Sequence, residues 1–296
     1  MPELPEVETV KRGLEPVLSG QRIMRCVLNR ENLRYPFEKN FAKIVSGALV
    51  KALERRGKYI IIHLDGAANL VVHLGMSGQF RIVPAVRSSK NNEPSALSEP
   101  QKHDHVIWEI ESGAKVIYND PRRFGFINFL PQTGWEHSSH FARMGPEPLG
   151  NHFHADALMA ALKIRKAPIK IALLDQSVVA GVGNIYASEA LFRAGISPLL
   201  PACDINSAAA ENLVQAIKSV LSDAIAAGGS TLKDYKHTDG GLGYFQHNFS
   251  VYDRSGEPCA GCDCKLDKTG GIQKIVQGGR STFYCPQKQK ITGAGR

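Results

Sequence analysis

The chain has no run of about 18 consecutive apolar residues, so it offers no helix long and apolar enough to span a membrane. Its start lacks the basic residues and apolar core of a secretory signal, which points to a cytoplasmic protein. Neither the Walker pattern nor the longer dinucleotide fingerprint occurs, which argues against a nucleotide cofactor. No internal repeat is visible. Acidic residues fall short of basic ones: 28 Asp and Glu against 36 Lys and Arg leave a net charge of +8, which suggests a polyanionic partner. Cysteine is scarce before the tail. Only Cys26 and Cys203 precede Cys259, Cys262, Cys264 and Cys285. Four cysteines clustered in the tail, in a reducing compartment, suggest a metal rather than disulfides. The same tail, from Cys259 to Arg296, carries +5 of the +8.

What is present begins at the first residues, Met1-Pro2-Glu3-Leu4-Pro5-Glu6-Val7-Glu8. Removal of Met1, which the small Pro2 permits, exposes a proline secondary amine. An ordinary α-amino group titrates near pH 8, within reach of neutrality, and its neutral form attacks carbonyls. Glu3 and Glu6 lie within the next turn. Apolar residues then recur at Val7, Val10, Leu14, Val17 and Leu18, which predicts a helix. The helix dipole at that end disfavours an ammonium and pushes the amine toward its reactive form. A frayed, solvated terminus is the plainer reading of the same residues.

Residues 22–83 read mainly as strands, at 23–28, 49–53, 59–64 and 70–74. Residues 84–102 are rich in polar residues, Pro and Ser, hence a long loop. Strands resume at 105–110, 115–118 and 125–129. The spacing predicts an antiparallel β-sandwich flanked by the first helix. Composition changes after about residue 131. Helices are predicted at 152–163, 170–174, 185–194 and 207–227, the last with a cap at Asn206 or Ser207 and a Gly228-Gly229 stop. A glycine-containing loop covers 236–248. Short β runs at 273–276 and 281–285 around Gly278-Gly279 predict a hairpin. The fold class is therefore α+β. Three segments are expected: a sandwich over 1–131, a helical domain over 132–248 and a hairpin over 249–296.

Several turns carry chemistry-bearing side chains. Lys58 enters a strand after Gly57. Such a lysine is commonly a solvated edge charge, and it also donates protons or meets phosphate. His73-Leu74-Gly75-Met76-Ser77-Gly78 and Asp120-Pro121-Arg122-Arg123-Phe124-Gly125 are two turns that offer an apolar chain, guanidinium groups and a ring. A DNA-bending protein wedges such groups between base steps. The plainer reading of each is a turn with one core residue. Lys102-His103-Asp104-His105 suits phosphate contact or strand capping better than a metal. Gly181-Val182-Gly183-Asn184 opens a helix, where backbone N–H groups cradle phosphate.

In this order, these motifs resemble the formamidopyrimidine-DNA glycosylase family of bacterial base-excision repair enzymes. The resemblance runs from Pro2-Glu3-Leu4-Pro5-Glu6 through Val182-Gly183-Asn184-Ile185-Tyr186-Ala187-Ser188-Glu189 to Gly279-Arg280-Ser281-Thr282-Phe283-Tyr284-Cys285. It implies a bifunctional glycosylase and AP lyase that flips oxidised purines out of duplex DNA, excises them and cuts the strand. By the resemblance Pro2 is the nucleophile and Glu3 the acid/base at the sugar. Lys58 serves β-elimination, Arg280 serves δ-elimination, and Glu6 supports the site. His103, Arg123, Arg165, Lys170 and Asn184 match DNA-backbone contacts. Met76, Arg122 and Phe124 match the wedge that fills the void, with Arg122 also reading the orphaned base. The helical domain is expected to hold a helix-two-turn-helix element around 170–195, and the 236–248 loop matches one that closes over the extruded base. The implied partner is damaged double-stranded DNA, bound by a monomer with no membrane association in a bacterial cytoplasm.

The tail departs from the family pattern of two Cys-x2-Cys pairs: Lys288 stands where the last cysteine belongs, and the long 84–102 loop is a second departure. Either Cys259, Cys262, Cys264 and Cys285 form a rearranged zinc site, or the hairpin holds no metal. Two rival readings are an endonuclease VIII-type glycosylase for oxidised pyrimidines and a catalytically inactive DNA-binding protein.

Overall fold

The computed structural model describes residues 1–66, 68–85, 99–230, 244–262 and 266–290. The expected 236–248 loop, most of the 84–102 loop and Cys264 therefore lie largely or wholly outside the described residues. The chain divides into two compact units. One comprises residues 1–142 with 227–244, the other residues 143–226 with 245–296.

The first unit opens with α1 (Leu4–Leu18), then β1 (Ile23–Leu28), α2 (Phe41–Val45), β2 (Val50–Arg56), β3 (Tyr59–Leu64) and β4 (Ala68–His73). β5 (Gln79–Val83), β6 (Asp104–Ile110), β7 (Lys115–Asn119) and β8 (Phe126–Pro131) follow. They form two four-stranded antiparallel sheets, in the orders β1-β6-β7-β5 and β2-β3-β4-β8. Alternation turns one face of each sheet inward, so Ile60, Ile62, Leu70 and Val72 meet Phe80, Val106, Trp108 and Val116 in a common core. Val7, Val10, Leu14 and Leu18 share one face of α1 and join that core. Leu14 is fully buried, and cutting it to Ala costs about 2–5 kcal/mol. The sandwich read from the sequence is thus present. β5 and α2 are additions to it.

The register matters for function. Tyr59 pairs with His73, and His73 pairs with Phe126. The turn bearing Lys58, the turn after His73 and the turn before Phe126 therefore emerge at the same end of the β2-β3-β4-β8 sheet.

The second unit contains α3 (Ala155–Leu162), α4 (Ile169–Leu174), α5 (Asn184–Ala194), α6 (Ser207–Ala226), α7 (Leu266–Thr269) and a hairpin of β9 (Gln273–Gln277) and β10 (Arg280–Tyr284). Asn206 Oδ1 accepts the Ala209 N–H at 2.9 Å and caps α6. Gly195, at φ +69°, ends α5 in the left-handed conformation that glycine adopts without strain. Glu189, fully buried, accepts the N–H groups of Ser250, Val251 and Tyr252 at 2.8–2.9 Å and fixes the chain leading to the hairpin.

Candidate active site

At the start of the chain, Pro2 is buried and Glu3 is the N-cap of α1, 3% exposed. A capping box closes the helix: Glu6 Oε2 accepts the Glu3 N–H at 2.9 Å. Glu6 Oε1 accepts both the N–H and the hydroxyl of Ser230 at 2.8 Å. One carboxylate thus pins the first residues to the chain just before residue 231. Gly229, at φ +78°, permits this approach, since a Cβ there would sit 3.2 Å from the Glu6 side chain. Ser230 lies 224 residues from Glu6, and no local pattern in the sequence points to the pair.

Lys58 is 7% exposed in the β2–β3 turn, where Gly57 takes φ +56°. Burial, with the Lys58, Arg34 and His140 charges, holds His73 down to about 4. His73 Nδ1 accepts the Gly75 N–H at 3.1 Å, so the neutral ring carries its proton on Nε2. A cavity of about 590 Å³ lies beside it, lined by Met1, Arg34, His73, Met76, Arg122 and Phe124 among others. The Arg122 guanidinium stands 5.0 Å over the Phe124 ring, which is 45% exposed. Arg123 is exposed and takes φ +56°, a left-handed conformation rare outside glycine. His103 is half-buried at the entry to β6. All the sequence-predicted residues of this unit except Pro2, Glu3, Glu6 and His103 lie on the three turns gathered by the strand register.

In the second unit, Arg280 is exposed at the first position of β10, directly after the Gly278-Gly279 turn. Asn184 begins α5. Its Nδ2 donates to the Ser281 carbonyl at 2.9 Å, next to Arg280. Lys170, expected at the phosphate backbone, is fully buried. Its Nζ donates to Asn184 Oδ1 at 2.5 Å and so orients the Asn184 amide. Arg165 is engaged by Asp175 at 2.6 Å and by Ser177 Oγ at 3.0 Å, which fixes its guanidinium at the surface.

The Sγ atoms of Cys259, Cys262 and Cys285 lie within 4.8 Å of one another. Burial raises the Cys285 thiol, against N–H groups of Lys288 and Gln287 that favour the thiolate. Three thiols of this kind suit a thiophilic ion and supply three of the four donors that tetrahedral zinc takes. Lys288 does not join them: its Nζ lies 4.1 Å from the centre of the Phe192 ring.

The model of the formamidopyrimidine-DNA glycosylase N-terminal domain matches residues 1–127, and that of the same family's H2TH domain matches residues 144–236. This chain belongs to the formamidopyrimidine-DNA glycosylase family. A formamidopyrimidine-DNA glycosylase of Rhodospirillum rubrum is 51% identical over 291 residues, covering 98% of this chain and all of the relative. The structure of MutM (Fpg) from Thermus thermophilus superposes with a TM-score of 0.82 at 38% identity, covering 97% of this chain and 98% of that one. Lactococcus lactis Fpg was solved as a glycine-to-proline variant with Fapy-dG containing DNA, TM-score 0.83, and as the wild type with oxidised pyrimidine containing DNA, TM-score 0.82. Both are 32% identical and cover 98% of this chain and all of the other. The span matched by the family's H2TH domain holds α3 to α6, with α4 and α5 among them.

Proposed function

We propose that this chain is a bifunctional DNA glycosylase and AP lyase that removes oxidised purines, 8-oxoguanine and formamidopyrimidines, from duplex DNA and then cuts the strand. The observation that carries the reading is the buried Pro2-Glu3 pair fixed at the start of α1 by Glu6, in the unit that also holds Lys58 and the cavity between the two wedge turns. Once Met1 is removed, the Pro2 nitrogen attacks C1′ of the flipped nucleotide. The base leaves and an iminium forms. Glu3 handles the proton at the sugar. The iminium acidifies the C2′ proton, so the 3′ phosphate leaves by β-elimination with Lys58 as proton donor and phosphate ligand. Arg280 serves the δ-elimination that expels the 5′ phosphate.

Met76, Arg122 and Phe124 fill the vacated stack, and His103, Arg123, Arg165, Lys170 and Asn184 contact the backbone. Cys259, Cys262 and Cys285, with Cys264 as a fourth donor, would hold zinc, and the ion would staple the hairpin that presents Arg280. The enzyme acts as a cytoplasmic monomer, with catalysis in 1–131, duplex binding in 132–248 and the finger in 249–296.

The complex of the Lactococcus protein with oxidised pyrimidine DNA supports pyrimidine excision as a second reading. Single-turnover excision from duplexes carrying 8-oxoguanine or an oxidised pyrimidine separates the two. Faster purine release by about tenfold or more, a difference of roughly 1.4 kcal/mol in barrier, is expected. The reverse ranking would replace the purine reading.

A further inference from the structure

Asp120 is fully buried, and the chemistry above makes no use of it. Its Oδ1 accepts the Ser77 hydroxyl at 2.5 Å. Its Oδ2 accepts the Gly125 N–H at 2.9 Å and the Tyr118 hydroxyl at 3.4 Å. Its carbonyl accepts the Arg123 N–H at 3.3 Å and lies 2.9 Å from His105 Nε2. Ser77 Oγ in turn accepts the Arg122 N–H at 3.1 Å. A single carboxylate therefore reaches both turns, the one with Met76 and the one with Arg122 and Phe124. Two glycines make the contact between them as close as backbone allows. A Cβ on Gly75, at φ +63°, would overlap the backbone of Phe124 and Gly125, and one on Gly125 would overlap the Tyr118 hydroxyl.

We propose that Asp120, with Ser77, is a positioning residue that locks the two turns into one preformed wedge, holding Met76, Arg122 and Phe124 in mutual register before DNA arrives. The proposal rests on the glycosylase reading above. Its physical basis is that three side chains entering one base stack must arrive together. Turns that moved independently would have to be ordered during binding, at an entropic cost that a preformed unit avoids. The left-handed Arg123 fits the same account, because an unfavourable conformation persists only where its surroundings over-determine it.

The test uses the full chain and two variants, Ser77→Ala and Asp120→Asn, checked for native circular dichroism. Ser77→Ala cuts the link between the turns and leaves the Asp120 bond to Gly125 in place. Three readouts are compared: excision of 8-oxoguanine from duplex DNA, borohydride trapping on an abasic site in single-stranded DNA, and fluorescence of a 2-aminopurine beside the lesion. The single strand has no stack to open, and the fluorescence rise needs no chemistry. Duplex excision and the fluorescence rise should both slow, by up to about 10²-fold for a misplaced group, while single-strand trapping stays within about threefold of wild type. Parallel loss of all three readouts would reduce Asp120 to a general stabiliser, and unchanged stack opening would also overturn the proposal. If the wild type opens the stack but forms no adduct, the lyase reading fails while the wedge proposal is still decided by fluorescence.

Discussion

Glu6 Oε2 accepts the Glu3 N–H, while Oε1 accepts two donors from Ser230. Glu6→Gln keeps the shape but replaces one accepting oxygen with a donor. It is expected to destabilise the protein by about 1–3 kcal/mol, since a buried N–H loses its acceptor, and to slow the lyase more than duplex binding. Urea unfolding and single-turnover trapping measure the two effects. His73 makes the pH prediction. Burial and nearby cations hold it at about 4, below the ordinary 6.5. The unfolded chain then binds the extra proton between those values, so stability is fully present above pH 6.5 and falls as the pH drops toward 4. The loss is at most about 3 kcal/mol. His73→Phe, which keeps a ring facing Phe126, should flatten that part of the stability profile. An unchanged acid slope would show that His73 does not titrate between the two states. At this scale the motifs that single out Pro2, Glu3, Lys58 and Arg280 are local and can be read in the sequence. The Ser230 and Asp120 partnerships cannot, because they join residues far apart in the chain. The burial of Lys170 was not legible for a related reason: its acceptors, Asn184 and the Ser281 carbonyl, lie far along the chain.

Among the elements, most strands and the long helices were readable from alternation and caps. β5 was not, because Arg81, on the face opposite Phe80, is buried too and pairs with Asp104 at 2.8 Å, which blurs the alternation. α2 spans five residues, too few to show a period. The hairpin carries the element-scale prediction. The chain after Cys285 is fastened by Lys288 over Phe192 and by Gln289, whose Oε1 accepts the Cys285 N–H at 2.8 Å and whose Nε2 donates to the Ile196 carbonyl at 2.9 Å. Lys288→Ala should loosen this arm by about 0.5–2 kcal/mol, seen as faster amide exchange across 281–285. Cys264→Ser should weaken zinc binding in a competition titration, and adding Lys288→Cys, a thiol at the family position, should restore it. Equal exchange in wild type and Lys288→Ala would assign the fastening to the cysteines and Gln289 alone.

For the whole molecule, the net charge of +8 and the concentration of basic residues in the tail match a partner that is itself a polyanion. The sandwich unit carries Pro2, Lys58 and the turns bearing Met76, Arg122 and Phe124. The helical unit carries Asn184 and the hairpin with Arg280. The roles proposed for Glu3, Lys58 and Arg280 depend on one bond, between the Pro2 nitrogen and a sugar carbon. The direct measurement is borohydride reduction of the protein mixed with an 8-oxoguanine duplex, followed by peptide mapping of the adduct. The account predicts a covalent adduct on Pro2 in protein lacking Met1, and none in protein carrying an N-terminal extension that still binds the duplex. An adduct on a lysine, or one formed equally well by the extended protein, would contradict it.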